Sequence, residues 1–172
     1  MDDSKHSFLK SDDLTLDILS GKYNLSDFDC EDQEYNDFIK NHAMSHERLK
    51  LGTTYLFFYK DKIAGYVTIS MAHLKKERGS DDLKSARPLR NIPCLFVAQM
   101  ARDKSVKGMG VGDIMIEWIV GMAMRVSNDI ACRYILLECE DYNIPVYKRN
   151  DFVLIPKSKK DKRNYMFYDL LI

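Results

Sequence analysis

The stretch Met100-Ala101-Arg102-Asp103-Lys104-Ser105-Val106-Lys107-Gly108-Met109-Gly110-Val111-Gly112 decides how this chain is read. Before it, Cys94 to Ala101 is a continuous apolar run broken only by Gln99, which suits a strand buried on both faces. After it, Ile114, Met115, Trp118, Ile119, Met122 and Val126 recur at helical spacing. The stretch is therefore a turn from a buried strand into an amphipathic helix. Its alternating glycines permit a tight turn and bring backbone amides close to a ligand. The helix start adds N–H groups without intrahelical acceptors and a partial positive charge. Such a place suits a phosphate or diphosphate. Two nucleotide readings fail on particular residues. A Walker loop needs Lys-Ser/Thr after its last glycine, where Asp113-Ile114 stands, and a dinucleotide fingerprint needs Gly or Ala at position 113. On the glycines alone, a turn that binds nothing stays open as the alternative.

Upstream, Leu14, Leu16 and Ile18 alternate with polar residues as in a half-buried strand. Tyr35, Phe38, Ile39, His42, His46 and Leu49 predict one amphipathic helix from Glu31-Asp32 to a stop before Gly52, with His42 packed on its apolar face. Thr53–Tyr59 and Ile63–Met71 read as a hairpin around Lys60-Asp61-Lys62, and His73 to Asn91 reads as a surface loop or short helix. Downstream, Tyr134–Cys139 is a buried strand and Pro145–Asn150 a short helix with Pro near its first turn. Phe152–Ile155 and Tyr165–Leu171 are closing strands around Lys157 to Arg163. The order βα-ββ-βα-βα-ββ predicts one α/β domain over residues 1–172 with a mixed sheet, residues 1–12 forming a flexible or peripheral N-terminus.

Composition excludes several classes. At 172 residues the chain is long enough to bury a core, and 11% aromatic residues exclude disorder as a whole-chain description. No apolar run is long enough to span a bilayer, and the polar start Met1-Asp2-Asp3-Ser4-Lys5-His6 is unlike a signal peptide, so the expected location is cytoplasmic, away from membranes. Cys30, Cys94, Cys132 and Cys139 are scattered without zinc spacing, so free thiols and no metal are expected. Lys+Arg and Asp+Glu are equal at 26 each, which excludes a bulk polycation. The sum hides an asymmetry: residues 1–32 hold nine acidic and three basic side chains, the remainder 17 and 23.

Lys107-Gly108-Met109-Gly110-Val111-Gly112 resembles the Gln/Arg-x-x-Gly-x-Gly/Ala motif of the GNAT N-acetyltransferases, with Lys107 in place of Gln or Arg. Asn143 through Tyr147 to Phe152 resembles that family's Asn-x-x-x-x-Tyr-x-x-x-Gly-Phe segment, with Asp151 replacing Gly, a substitution that a left-handed turn tolerates. Phe28-Asp29-Cys30-Glu31 to Asp37-Phe38-Ile39, Gly65-Tyr66-Val67-Thr68-Ile69-Ser70 and Ile92-Pro93 to Asp103 look like segments of the TacT-like, toxin-type branch. Gln99, Arg102 and Glu31 depart from that branch's usual Arg, Val and Gly. The resemblance covers about residues 14–171 and implies a GNAT-type α/β domain: a central mixed, mostly antiparallel sheet flanked by helices.

The resemblance also implies roles. Acetyl-CoA is the cosubstrate, and Met100, Ala101, Arg102, Lys107, Gly108, Met109, Gly110, Val111, Gly112 and Asn143 are the residues expected to bind it. Tyr147 is the expected general acid, with a packed core tyrosine as the alternative. Asn143 could equally be a helix cap. No base is evident; Glu138 is a candidate and also reads as structural. The expected acceptor is a primary amine. The α-amine of aminoacyl-tRNA, a small amine, a protein N-terminus and a coenzyme A-binding module without turnover all stay open. Lys75, Arg87 and Arg90, in one of two basic runs, are the expected substrate-binding residues, with solvated loops as the alternative. An antitoxin protein and a second copy of the chain are the expected protein partners.

Overall fold

The structure is a computed structural model that describes residues 8–84, 90–159 and 161–171. Seven strands hydrogen-bond in the order β1-β2-β3-β4-β5-β7-β6. They are β1 (Thr15–Ile18), β2 (Thr53–Tyr59), β3 (Lys62–Lys75), β4 (Asn91–Arg102), β5 (Tyr134–Cys139), β6 (Val153–Leu154) and β7 (Asn164–Asp169). The helices are α1 (Gln33–Asp37), α2 (Ala43–Arg48), α3 (Asp81–Lys84), α4 (Val111–Asp129) and α5 (Ile144–Arg149). The sheet is mixed: β4 and β5 run parallel, whereas the β1/β2, β2/β3, β5/β7 and β6/β7 pairs are antiparallel. The chain forms two compact units, Met1–Ile69 with Gln99–Glu117 and Ser70–Ala98 with Trp118–Ile172.

In the first unit, Leu19, Phe28, Ile39, Ala43, Leu56 and Tyr66 form a buried cluster against which Ala101 packs. The helix expected as one piece is two, α1 and α2, joined by a π-helical turn over Phe38–His42. That wider turn adds a residue to the face and shifts its register. Ala43 takes the buried place, and His42 is exposed and pairs with Asp37 at 3.0 Å, which corrects its expected burial. Gly52 is not the helix stop either. Lys50 takes the left-handed conformation (φ 57°) that ends α2. Lys60 and Asp61 (φ 47° and 63°) form the hairpin turn without a glycine.

In the second unit, Leu74, Ile92, Cys94, Tyr134, Leu136, Ile155 and Phe167 form a buried cluster. β3 runs on through His73 and Lys75, which the sequence places in a loop. There Leu74 is buried while Met71, His73 and Lys75 are exposed, the alternation of a strand with one wet face. Arg133 grips Asp169 with two 2.7 Å hydrogen bonds and reaches Asp82 at 3.1 Å. The four cysteines are free, and burial pushes Cys94 up to about 12 and Cys139 up to about 11. No helix among the described residues is long and apolar enough to cross a membrane.

Candidate functional site: the glycine turn and its surroundings

β4 delivers Met100, Ala101 and Arg102 directly into the turn. The space β4 needs beside β3 is made at Gly65, where a Cβ would stand 3.0 Å from the Ala101 carbonyl and 2.7 Å from Met115 Sδ. Asp103 is buried and fixes the start of the turn. Its N–H donates to the Ala64 carbonyl at 2.8 Å, and its carboxylate accepts from the N–H groups of Asp29 and Ser105, both at 2.8 Å. A 3-10 turn over Lys104–Val106 follows, and Val106 is buried beneath it.

Gly108 (φ 79°) and Gly110 (φ 82°) then take left-handed conformations. A Cβ at Gly108 or Gly112 would meet nothing within 4 Å, so that side of the turn is open space. The Gly110 carbonyl accepts the Ile114 N–H at 3.2 Å, which leaves the earlier N–H groups of α4 without intrahelical acceptors. A turn with these features, open outward and followed by the 19-residue α4, fits the diphosphate of coenzyme A. Gln99 Oε1, on β4 just before Met100, is buried without a hydrogen-bond partner. No cluster suited to a metal occurs among the described residues.

Residues that sequence reasoning did not assign also surround the turn. Asp29 and Glu31 reach it from the segment before α1. The Asp29 carbonyl accepts the Lys104 N–H at 2.8 Å and its carboxylate meets Lys104 Nζ at 2.7 Å, while Glu31 meets Lys107 Nζ at 2.8 Å. The lysine partners hold both carboxyls below their ordinary range. The Leu9 N–H donates to the Met109 carbonyl at 2.9 Å, and a Cβ at Gly110 would stand 3.2 Å from the Phe8 ring. These contacts join positions about 75 to 100 residues apart, so local sequence patterns carry no sign of them.

The other expected residues lie in the second unit. Tyr147 is buried on α5, its ring edge-on to Phe152 at 5.6 Å. Its carbonyl accepts the N–H groups of Asn150 and Phe152, both at 3.0 Å, around the left-handed Asp151 (φ 64°), as the replacement of Gly there predicts. Asn143 stands at the N-cap position of α5 but its side chain makes no capping hydrogen bond. Glu138 faces Tyr165 across β5 and β7 and accepts its hydroxyl hydrogen bond, which pushes Tyr165 up to about 12. Lys75 and Arg90 are exposed and adjacent, because the Lys76 N–H donates to the Arg90 carbonyl at 3.1 Å. Arg87 lies outside the described residues. Arg78 pairs with Asp161 at 2.7 Å, which brings the two basic runs together.

A mixed sheet whose parallel β4/β5 pair is linked through a glycine turn and a long helix is the GNAT fold. Among solved structures, AtaT complexed with acetyl-methionyl-tRNAfMet shares it at TM-score 0.82 and 22% identity, over 91% of this chain and 95% of that one. A Tyr→Phe mutant of KacT shares it at TM-score 0.83 and 21% identity, over 92% and 96%. So does a Tyr→Phe mutant of the AtaT toxin bound to the C-terminus of the antitoxin AtaR and acetyl-CoA, at TM-score 0.75 and 22% identity, over 92% and 94%. No family model matches the chain.

Proposed function

We propose that this chain is an acetyl-CoA-dependent N-acetyltransferase whose acceptor is the α-amine of aminoacyl-tRNA. The observation that carries the reading is the open turn with left-handed Gly108 and Gly110 at the start of α4, in a fold shared with an acetyl-CoA complex of AtaT. Acetyl-CoA, when bound, supplies a thioester activated toward an amine. The N–H groups of the turn and the first turn of α4 hold the diphosphate. Backbone N–H groups over Met100–Arg102 orient the acyl carbonyl and stabilise negative charge on its oxygen. Tyr147 Oη would be the proton donor to the leaving thiolate of coenzyme A, and Asn143 would support the pantetheine arm. The solution of two neighbours as Tyr→Phe mutants supports attention to a tyrosine in this fold.

An α-amine has a pKa near 8, so a sizeable fraction is already neutral at physiological pH and no strong base is needed. The Tyr165 hydroxyl occupies Glu138, which favours a structural role for that carboxylate. The tRNA reading draws support from the AtaT–tRNA complex and from the basic surface around Lys75 and Arg90, which the Arg78–Asp161 pair joins to the Lys157–Arg163 run. An antitoxin partner is the matching proposal from the AtaR complex. The test is mass spectrometry of charged tRNA after incubation with the protein and acetyl-CoA. A gain of one acetyl group on the aminoacyl moiety is expected, with kcat sharply lowered and coenzyme A affinity kept in Tyr147→Phe. Transfer to small amines with none to any aminoacyl-tRNA would overturn the acceptor, and no transfer at all would overturn the enzyme.

A further inference from the structure

Glu31 is a non-glycine residue at φ 67°, a conformation that favours glycine. Its neighbour Asp29 spends its carboxylate on the Glu31 N–H at 2.9 Å, on Asn36 Nδ2 at 2.9 Å and on Lys104, which makes it part of the local scaffold. Among the described residues the Glu31 carboxylate has one short side-chain contact, 2.8 Å to Lys107 Nζ. Half of its side chain, and 63% of that of Lys107, is exposed to solvent. The pair therefore rearranges easily. The charge of Arg102, at the end of β4, is a lesser cause that helps Lys107 hold the Glu31 carboxyl below its ordinary range. A dianion entering the turn beside Gly108 and Gly110 meets this carboxylate at its edge and competes with it for Lys107.

We propose that Glu31 is a built-in anionic competitor for the diphosphate site: it holds Lys107 in the empty enzyme and lowers the affinity of the turn for coenzyme A. The inference rests on the coenzyme A reading given above. It makes the unfavourable backbone at position 31 part of the site, because the left-handed conformation presents the side chain to the turn. Binding then exchanges one carboxylate–lysine pair for a phosphate–lysine pair. Glu31 weakens binding and favours release of the product coenzyme A.

The test is calorimetric titration of coenzyme A into the full chain at low ionic strength, with Glu31→Gln, Glu31→Gly, Lys107→Gln and an exposed control, Glu117→Gln. Binding should tighten by about 3- to 10-fold in both Glu31 variants and stay unchanged in Glu117→Gln. The gain should shrink as salt rises and vanish in Glu31→Gln combined with Lys107→Gln. Thermal melts at or above the wild-type temperature in Glu31→Gly would show that the fold is kept. Wild-type binding with unchanged or weakened affinity in both Glu31 variants overturns the competitor and leaves the coenzyme A reading standing. Failure of the wild type and every variant to bind coenzyme A overturns both.

Discussion

Asp103→Asn tests whether one buried carboxylate holds the turn to the rest of its unit. The side chain is nearly isosteric, so packing is kept and only hydrogen bonding changes. In the native chain both carboxylate oxygens accept backbone N–H groups at 2.8 Å, from Asp29 and from Ser105. Asparagine offers one acceptor, so one part-buried N–H loses its partner and faces an NH2 group. A hydrogen bond to a charged acceptor contributes about 1.5–3 kcal/mol, so a loss of about 2 kcal/mol is expected. A chain of 172 residues unfolds with an entropy of roughly 0.36 kcal/mol/K, which turns that loss into a fall in Tm of about 5–6 °C. The assay is a thermal melt paired with amide hydrogen exchange. Exchange should quicken at whichever of the Asp29 and Ser105 amides faces the NH2 group, ahead of the β2/β3 ladder, since that donor loses its acceptor. A Tm within about 1 °C of wild type, with protection at both amides intact, would refute the reasoning.

Breaking the Arg133–Asp169 pair with Arg133→Met leaves Asp169, 5% exposed, without its partner; a destabilisation of about 3–5 kcal/mol should appear in urea unfolding. Gly65→Ala forces a Cβ to 3.0 Å from the Ala101 carbonyl, and a loss of about 1–3 kcal/mol should be read in the same assay. Thiol titration at pH 8 should leave Cys94, Cys132 and Cys139 unlabelled in the native protein, since burial raises each thiol above its ordinary range, and should count four thiols once denatured. Asp29 is held below the usual carboxylate range mainly by Lys104, so its contribution is present above the unfolded value near 4 and lost as pH falls toward the folded value. Lys104→Met should therefore flatten the fall in Tm below about pH 4.

What was legible in the sequence was local. Tyr134–Cys139 shows its apolar run and folds over those residues, because β5 is flanked by β4 and β7. The glycines mark the turn because left-handed backbone at Gly108 and Gly110 is what glycine permits. What was not legible depends on geometry that residue type does not announce. A π-helical turn at Phe38–His42 moves His42 off the buried face, and no 3.6-residue count contains it. Glu31 and Lys50 sit at positive φ although neither residue type favours it. The Glu31–Lys107 pair joins positions 76 apart, so it exists only once β3, β4 and the pre-α1 segment are in place.

The charge asymmetry takes a different meaning once these contacts are counted. The acidic N-terminal part and the basic remainder are not separate fields, because Asp29 and Glu31 of the first are paired with Lys104 and Lys107 of the second. The basic loops are partly neutralised too, through Arg78 with Asp161 and Arg163 with Glu140. Lysine charge at the turn is thus already partly spent on acids before any anion arrives. Asp113 adds one more acid in the first turn of α4, but the N–H dipoles at the start of that helix are fixed by the backbone and cannot be drawn away into an ion pair. It follows that backbone geometry, more than lysine charge, should govern recognition of a diphosphate here. Gly110→Glu, which adds both a clash with the Phe8 ring and a negative charge, should abolish coenzyme A binding in calorimetry, whereas Lys107→Gln should weaken it by only about 3- to 10-fold. The reverse ranking would mean that side-chain charge dominates and that the turn is no cradle.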